Sequence, residues 1–251
     1  MQSLSALVQH ADEILKCREV GDWPNAWNGL QLENSGRVGR IAAAVDASEA
    51  VIGLAVERGA GLLVVHHGLF WGGVQPLVGA GYRKLQRAIT HDLAIYSAHL
   101  PLDAHPKLGN NALLAKAIGL RKCEPFFFEK GRHIGWKAKV RLPLEEVARR
   151  LGAVLGSSPH LAPGGPSVTG CVGVVTGGAG AEVARAKAEG VDTFITGEGP
   201  HHSYALAEEL GVNLFYGGHY ATETFGVKAL AAHLSRRFRV PWEFIDHPSG
   251  L

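Results

Sequence analysis

Two phrases in this chain pair a histidine with a carboxylate at one spacing. Tyr96-Ser-Ala-His99-Leu-Pro-Leu-Asp103 and Tyr216-Gly-Gly-His219-Tyr-Ala-Thr-Glu223 each place the imidazole four residues before the acid, just after an apolar run. The adjacent pair His66-His67 ends another such run. Imidazole and carboxylate together make the ligand set of borderline divalent ions such as zinc, manganese or iron. The set is too large for one open catalytic ion and suits two ions that share a bridging ligand. An isolated histidine pair more often sits at a core edge or in solvent than on a metal. The repeated frame weakens that bland reading here.

Strands must carry these groups, because ligands of open α/β sheets gather beyond the carboxyl ends of the strands. Apolar recurrence at helical spacing predicts a helix over 4–15, with Ser3 or Ser5 as its cap. Residues 21–36 read as a loop. Then come a strand at 41–45, a helix over 47–58 that Gly59 ends, and a strand at 62–65. That order is a βαβ unit, so the sheet is at least partly parallel. A helix at 84–90, a strand at 93–96 and a helix at 110–118 follow. The same order returns as strand 172–176, turn 177–180, helix 181–189, strand 194–196, helix 203–210 and strand 214–216. Residues 41–68 lie on 172–199 without a gap, with Ala55/Ala186, Gly59/Gly190 and Gly68/Gly199 identical. The expected fold is α/β: two related α/β domains with mixed, largely parallel sheets facing a shared dinuclear metal site. Residues 1–125, joined by 222–251, form the first domain and residues 126–221 the second. Phe126-Phe-Phe-Glu-Lys-Gly131 reads as the crossover between them.

On this layout every candidate group falls at a strand end. Glu198 and His201-His202 occupy the place equivalent to His66-His67 and form a second tier. The turn 177–180 is rich enough in glycine to nest a phosphate at a helix start, with a plain tight turn equally consistent. His105 and His247 read as surface residues, and no partner is assigned to His10, His91, His133, His160 or His233.

Composition narrows the classes. A net charge of +2 over 251 residues, with no Lys/Arg block, gives no bulk argument for nucleic acid. A local basic lining from Arg83, Lys84 and Arg87 keeps that partner open. Cys17, Cys123 and Cys171 are far apart and form no C-x-x-C pair, which fits a reducing compartment. The apolar runs are far too short to span a membrane, and residues 1–15 read as an amphipathic helix and not a leader. A soluble cytoplasmic protein is expected.

The same residues carry a resemblance. His66-His-Gly-Leu-Phe-Trp71, Ser97-Ala-His-Leu-Pro-Leu-Asp-Ala-His-Pro106, Gly109-Asn-Asn-Ala112, Ile195-Thr-Gly-Glu198, Gly218-His-Tyr-Ala-Thr-Glu223 and Asn28-Gly-Leu-Gln-Leu32 resemble the signatures of the NGG-interacting factor three-like family, in its short bacterial form. Members are often labelled GTP cyclohydrolase I type 2 homologues. The resemblance implies two divalent ions (zinc, iron or manganese) held by His66, His67, Asp103, His219 and Glu223, with Glu223 as the bridge. It also implies a ring-shaped homohexamer with the sites on an inner cavity. Trp23-Pro-Asn-Ala-Trp27 departs from the usual approach to Asn28 and alters the substrate-facing loop.

The expected activity is metal-dependent hydrolysis of a nucleotide-like or phosphorylated small molecule, GTP cyclohydrolase-like by resemblance. His99 and His202 are the candidate proton carriers. The alternatives are a non-enzymatic metal-bearing ring that binds a protein or a nucleic-acid strand, and metal storage or delivery.

Overall fold

The apolar runs of the sequence become the central strands of two separate sheets. The computed structural model describes residues 1–73 and 75–251. In chain order the elements begin with β1 (Gln2–Ser3), α1 (Leu4–Leu15), β2 (Gly29–Leu32), β3 (Arg37–Val38), β4 (Ile41–Asp46), α2 (Glu49–Glu57), β5 (Leu62–His67), α3 (Gly79–Thr90) and β6 (Ala94–Ser97). They continue with α4 (Leu100–Asp103), α5 (Asn110–Ala117), β7 (Glu124–Glu129), β8 (Arg132–Pro143), α6 (Leu144–Leu155), β9 (His160–Ala162) and β10 (Val168–Val174). A 3₁₀ turn (Gly180–Glu182) leads to α7 (Val183–Ala188), β11 (Thr193–Thr196), α8 (His202–Leu210), β12 (Asn213–Tyr216), α9 (His219–Phe238) and β13 (Trp242–Phe244). The chain divides into two units, residues 1–102 with 226–247 and residues 103–225 with 248–251.

In the first unit the strand order is β13-β4-β5-β6-β2, parallel except for the β6–β2 pair at one edge. Ile41 to Val45 and Leu62 to Val65 are buried throughout, as strands covered on both faces must be. Val51, Ile52 and Ala55 of α2 and Ala88 of α3 pack on Ala42, Ala44, Leu63, Val65 and Ile95. Ser3 caps α1 by accepting from the Ala6 N–H, and Ser48 caps α2 through Val51. Several bounds differ from the sequence reading, α3 beginning at Gly79 and not at 84. The stretch 21–36 contains β2, a short edge strand. The second strand runs on through His66 and His67, so this histidine pair is the end of a strand and not the loop after it.

In the second unit the order is β7-β8-β10-β11-β12-β9, with β10, β11 and β12 parallel and the flanking pairs antiparallel. This sheet is mixed, a parallel centre flanked by antiparallel pairs. The segment read as a crossover is a hairpin: Glu129 pairs with Arg132 around Lys130-Gly131, both at positive φ, as a two-residue primed turn demands. Phe126 is fully buried because its ring lies over Gly135 and Gly173 on the neighbouring strands. A Cβ at either glycine would come within 2.6 Å of it. Leu114 and Ala115 of α5 and Val147 and Leu151 of α6 cover Val172, Val174, Ile195 and Phe215.

The repeat is visible in the hydrogen-bond ladders. Ile41 pairs with Leu62, and Val172 pairs with Thr193, each 131 residues further on. The gapless alignment therefore preserves strand register between the two sheets. The next ladder is one residue out, because Val64 faces Tyr96 whereas Ile195 faces Phe215. Tyr96 matches Phe215 in the sheet, not Tyr216. The two His-x-x-x-carboxylate phrases are thus offset by one residue relative to the strands that carry them.

Candidate metal centre

In the first unit, β5 delivers His66 and His67, and the turn after β6 delivers His99. One ligand nitrogen from each lies within 4.8 Å of those from the other two. The rings are neighbours, with His66 4.9 Å from both His67 and His99, centroid to centroid. Every imidazole is held at Nδ1 by an oxygen. His66 Nδ1 donates to the Ala98 carbonyl at 2.8 Å, His67 Nδ1 to Asp46 Oδ1 at 2.9 Å, and His99 Nδ1 to Asp22 Oδ1 at 2.8 Å. A carbonyl or carboxylate can only accept, so these bonds fix the tautomer with its lone pair on Nε2.

Asp22 is itself fixed. It accepts from the Trp23 and Leu100 N–H groups and from Asn28 Nδ2. Asn28 Oδ1 in turn accepts from the His99 N–H at 2.7 Å. Burial works against the charge of Asp22. His99, Asn28 and the Trp23 N–H outweigh it and hold the carboxyl below its usual range.

The second unit holds Asp103, His219 and Glu223. Asp103 is buried and accepts from Asn110 Nδ2 at 2.8 Å. His219 opens α9, so Glu223 lies one turn on, and His219 Nε2 meets Glu223 Oε2 at 3.1 Å. His219 Nδ1 donates to Glu198 Oε1 at 2.8 Å. Burial disfavours a charged His219. Glu223 and Glu198 overcome that penalty and push its pKa up to about 9. Gly177 is part of this geometry. Its φ is +70°, and a Cβ there would stand 2.3 Å from Glu223 Oε1.

Several other sequence candidates resolve here. The N–H groups of Gly177, Ala179 and Gly180 are bonded to Thr222 Oγ1, Thr196 Oγ1 and the Glu198 carbonyl. The glycine turn is a tight turn, and these donors are already committed within the protein. Glu198 rises from the second tier to an imidazole-holding role. His201 and His202 are exposed at the start of α8. His10 and His233, for which the sequence offered no partner, are stacked on each other with Nε2 atoms 2.9 Å apart.

Sequence reasoning missed Asp22 and Asp46. Asp46 had a signal, since it ends β4 opposite His67 in the ladder. Asp22 had none, because it lies in a loop.

The donors suit a borderline divalent ion: imidazoles of fixed tautomer, carboxylates, and outer carboxylates behind the imidazoles. No helix among the described residues is long and apolar enough to cross a membrane.

The chain is similar to known proteins over nearly its whole length. The family description Duf34/NIF3 (NGG1p interacting factor 3) matches residues 2–249. A Deinococcus radiodurans protein named GTP cyclohydrolase 1 type 2 homolog is 41% identical over 248 residues, covering 98% of this chain and 93% of that protein. A Halobacterium salinarum protein of the same name is 44% identical over 232 residues, covering 90% and 91%. A solved structure from Thermus thermophilus is 40% identical and superposes with a TM-score of 0.90 over 100% of both chains.

Proposed function

We propose, from the premise that this chain belongs to the Duf34/NIF3 (NGG1p interacting factor 3) family, that it is a dinuclear metal protein and a metal-dependent hydrolase. Its substrate is a nucleotide-like or phosphorylated small molecule, and GTP cyclohydrolase-like ring opening is the reaction to test first, since relatives carry that name. The ligands in this reading are His66 and His67 from the first unit and Asp103, His219 and Glu223 from the second, with Glu223 bridging. The observation that carries it is the uniform treatment of the imidazoles. His66, His67 and His219, the imidazoles assigned as ligands, each give Nδ1 to an oxygen, the arrangement that orients metal-binding histidines.

Divalent ions bound by these residues would supply Lewis-acid polarisation of the bond under attack and would lower the pKa of a water. The chain's own residues orient and move protons. Asp22 holds His99 so that Nε2 is its working nitrogen. His99 and the exposed His202 are assigned the proton transfers, each a contribution of roughly 10²–10⁴-fold in rate. The protein works as a homohexameric ring in the cytoplasm, as the family resemblance implies.

The test is elemental analysis of protein purified without chelators, followed by turnover of a nucleotide and phosphoester panel with added manganese, iron or zinc. About two ions per chain and hydrolysis of a panel member are expected. His99→Ala should keep both ions and slow turnover. Loss of an ion in that variant makes His99 a ligand and refutes its proton role. Two bound ions with no turnover across the panel replace the enzyme by a binding scaffold. Light scattering that shows a stable monomer at micromolar concentration refutes the ring.

A further inference from the structure

The three-histidine cluster of the first unit is bordered by tryptophans. The Trp71 ring lies edge-on to His99, 4.6 Å between centroids, and 5.3 Å from His67. It remains 39% exposed. Phe70 meets Trp27 edge to face at 6.4 Å, and Trp27 is 62% exposed. Exposed aromatic side chains scattered singly need no explanation. These are built in.

Gln31 ties the two loops that carry them. Its Nε2 donates to the Ala26 and Trp27 carbonyls, and its Oε1 accepts from the Leu69 N–H at 2.6 Å. Gly68 makes room for this strap, since a Cβ there would lie 2.3 Å from Gln31 Nε2. Trp27 is held at φ +46°, a conformation a bulky residue rarely adopts. Strain of this kind persists where the surroundings over-determine it, and it clusters at ligand sites. Trp27 also ends the segment 23–27, where this sequence departs from the approach its resemblance leads one to expect.

We infer that Trp27 and Trp71, with Phe70 packed against Trp27, form a stacking surface for the planar heteroaromatic ring of a ligand, set beside the His66–His67–His99 cluster. The inference deepens the reading of the site as one for a nucleotide-like molecule and rests on it. A π face accepts any flat ring without hydrogen-bond readout, so purines of either type should bind. The outer carboxylates Asp22 and Asp46 are tied to histidines and do not select for a ring-bearing cation.

The test is isothermal titration of metal-free, full-length protein with guanosine, adenosine and, as a ring-less control, ribose 5-phosphate. Both nucleosides should bind and the control should not. Trp71→Ala and Trp27→Ala should each weaken nucleoside binding by roughly 5- to 150-fold, the range for removing one stacked aromatic. Trp71→Phe should restore most of it. Both tryptophans are exposed, so the variants should fold, and near-ultraviolet circular dichroism checks this. Unchanged binding in the double alanine variant overturns the inference. So does equal binding of ribose 5-phosphate. So does a change of oligomeric state in the double variant with nucleoside affinity intact, which would make the wall a subunit interface. Metal uptake is measured separately on the wild type purified without chelators: nucleoside binding by a protein that takes up no metal retains this inference and retires the hydrolase, and two bound ions with no nucleoside binding retire only the stacking surface.

Discussion

The two halves share a strand register and divide the chemistry unequally. Position 67 in the first half is an imidazole, backed by the carboxylate of Asp46. The matching position in the second half is the carboxylate Glu198, which backs the imidazole of His219. Asp46 itself matches Gly177, where any side chain would collide with Glu223. The first half therefore supplies a cluster of three imidazoles, whereas the second supplies one imidazole flanked by acids. Ladder geometry is set by backbone hydrogen bonds and buried apolar side chains, and strand ends are free of both constraints. One scaffold can thus be kept while the donors at its rim are exchanged, giving a nitrogen-rich half and an anionic half.

This contrast can be broken most decisively at Glu223. Glu223→Ala should strip most of both ions, a larger loss than the ~10–100-fold expected from an outer partner, whereas Asp103→Ala should remove mainly one. A full metal complement in Glu223→Ala, measured by elemental analysis, would sink the bridging role. The next effect compares the two outer carboxylates directly. Asp46→Asn and Glu198→Gln should each weaken metal affinity by about 10- to 100-fold, because each removes the negative charge that makes the imidazole more basic and lets an amide NH2 face Nδ1 in place of an oxygen. Competition with a chromogenic chelator measures both. A strong effect in one half alone would show that the halves do not use their outer carboxylates alike.

A smaller effect is confined to the anionic half. In metal-free protein His219 has its pKa raised from 6.5 to about 9 by Glu223 and Glu198, against the opposing effect of burial. A folded-state value above the unfolded one stabilises the fold fully below pH 6.5, and that contribution disappears as pH rises through about 9. The Tm of metal-free protein should fall between pH 7 and 10, and fall less in Glu198→Gln. Metal competes with the same proton, so uptake at pH 7 should release about one proton from this half. Calorimetry in two buffers of different protonation enthalpy reads that release directly, and its absence would contradict the assignment of His219. The smallest effect is expected at His201. It is exposed beside the start of α8, and His201→Ala should leave the metal content unchanged.

Most of the central strands were legible because burial on both faces turns them into short unbroken apolar runs, as in Leu62 to Val65. The ligand candidates were legible because they end those runs. The hairpin β7–β8 was harder. Phe126-Phe-Phe reads as an apolar connector until the glycines that receive Phe126 are found on two other strands. The alternation along β8, with Trp136, Ala138 and Val140 set against Lys137, Lys139 and Arg141, is a period-2 signal that the helix-centred repeat argument passes over. The phrase match was also too literal. Identical His-x-x-x-carboxylate spacing conceals the one-residue offset against the ladder, and only the pairing of Phe215 with Ile195 exposes it. Asp22 was illegible for a different reason. It reaches His99 across 77 residues from an irregular loop, and no local pattern encodes such a contact.

The shared register has a consequence for how this chain can change length. From β4 to β5, and from β10 to β11, the two halves have kept the same number of residues between paired positions while nearly every side chain between them differs. Substitution there is cheap and insertion is not. A strand shifted by one residue turns each of its side chains to the opposite face, so an extra residue in either connection that displaced β5 or β11 would carry His67 or Glu198 away from its imidazole–carboxylate pair. The later connections have already absorbed a difference in length, since 68–93 is longer than 197–212. Natural length variation and engineered tags or fused domains should therefore be tolerated in the later connections, beyond Trp71 and beyond Glu198, and be eliminated before β5 and before β11.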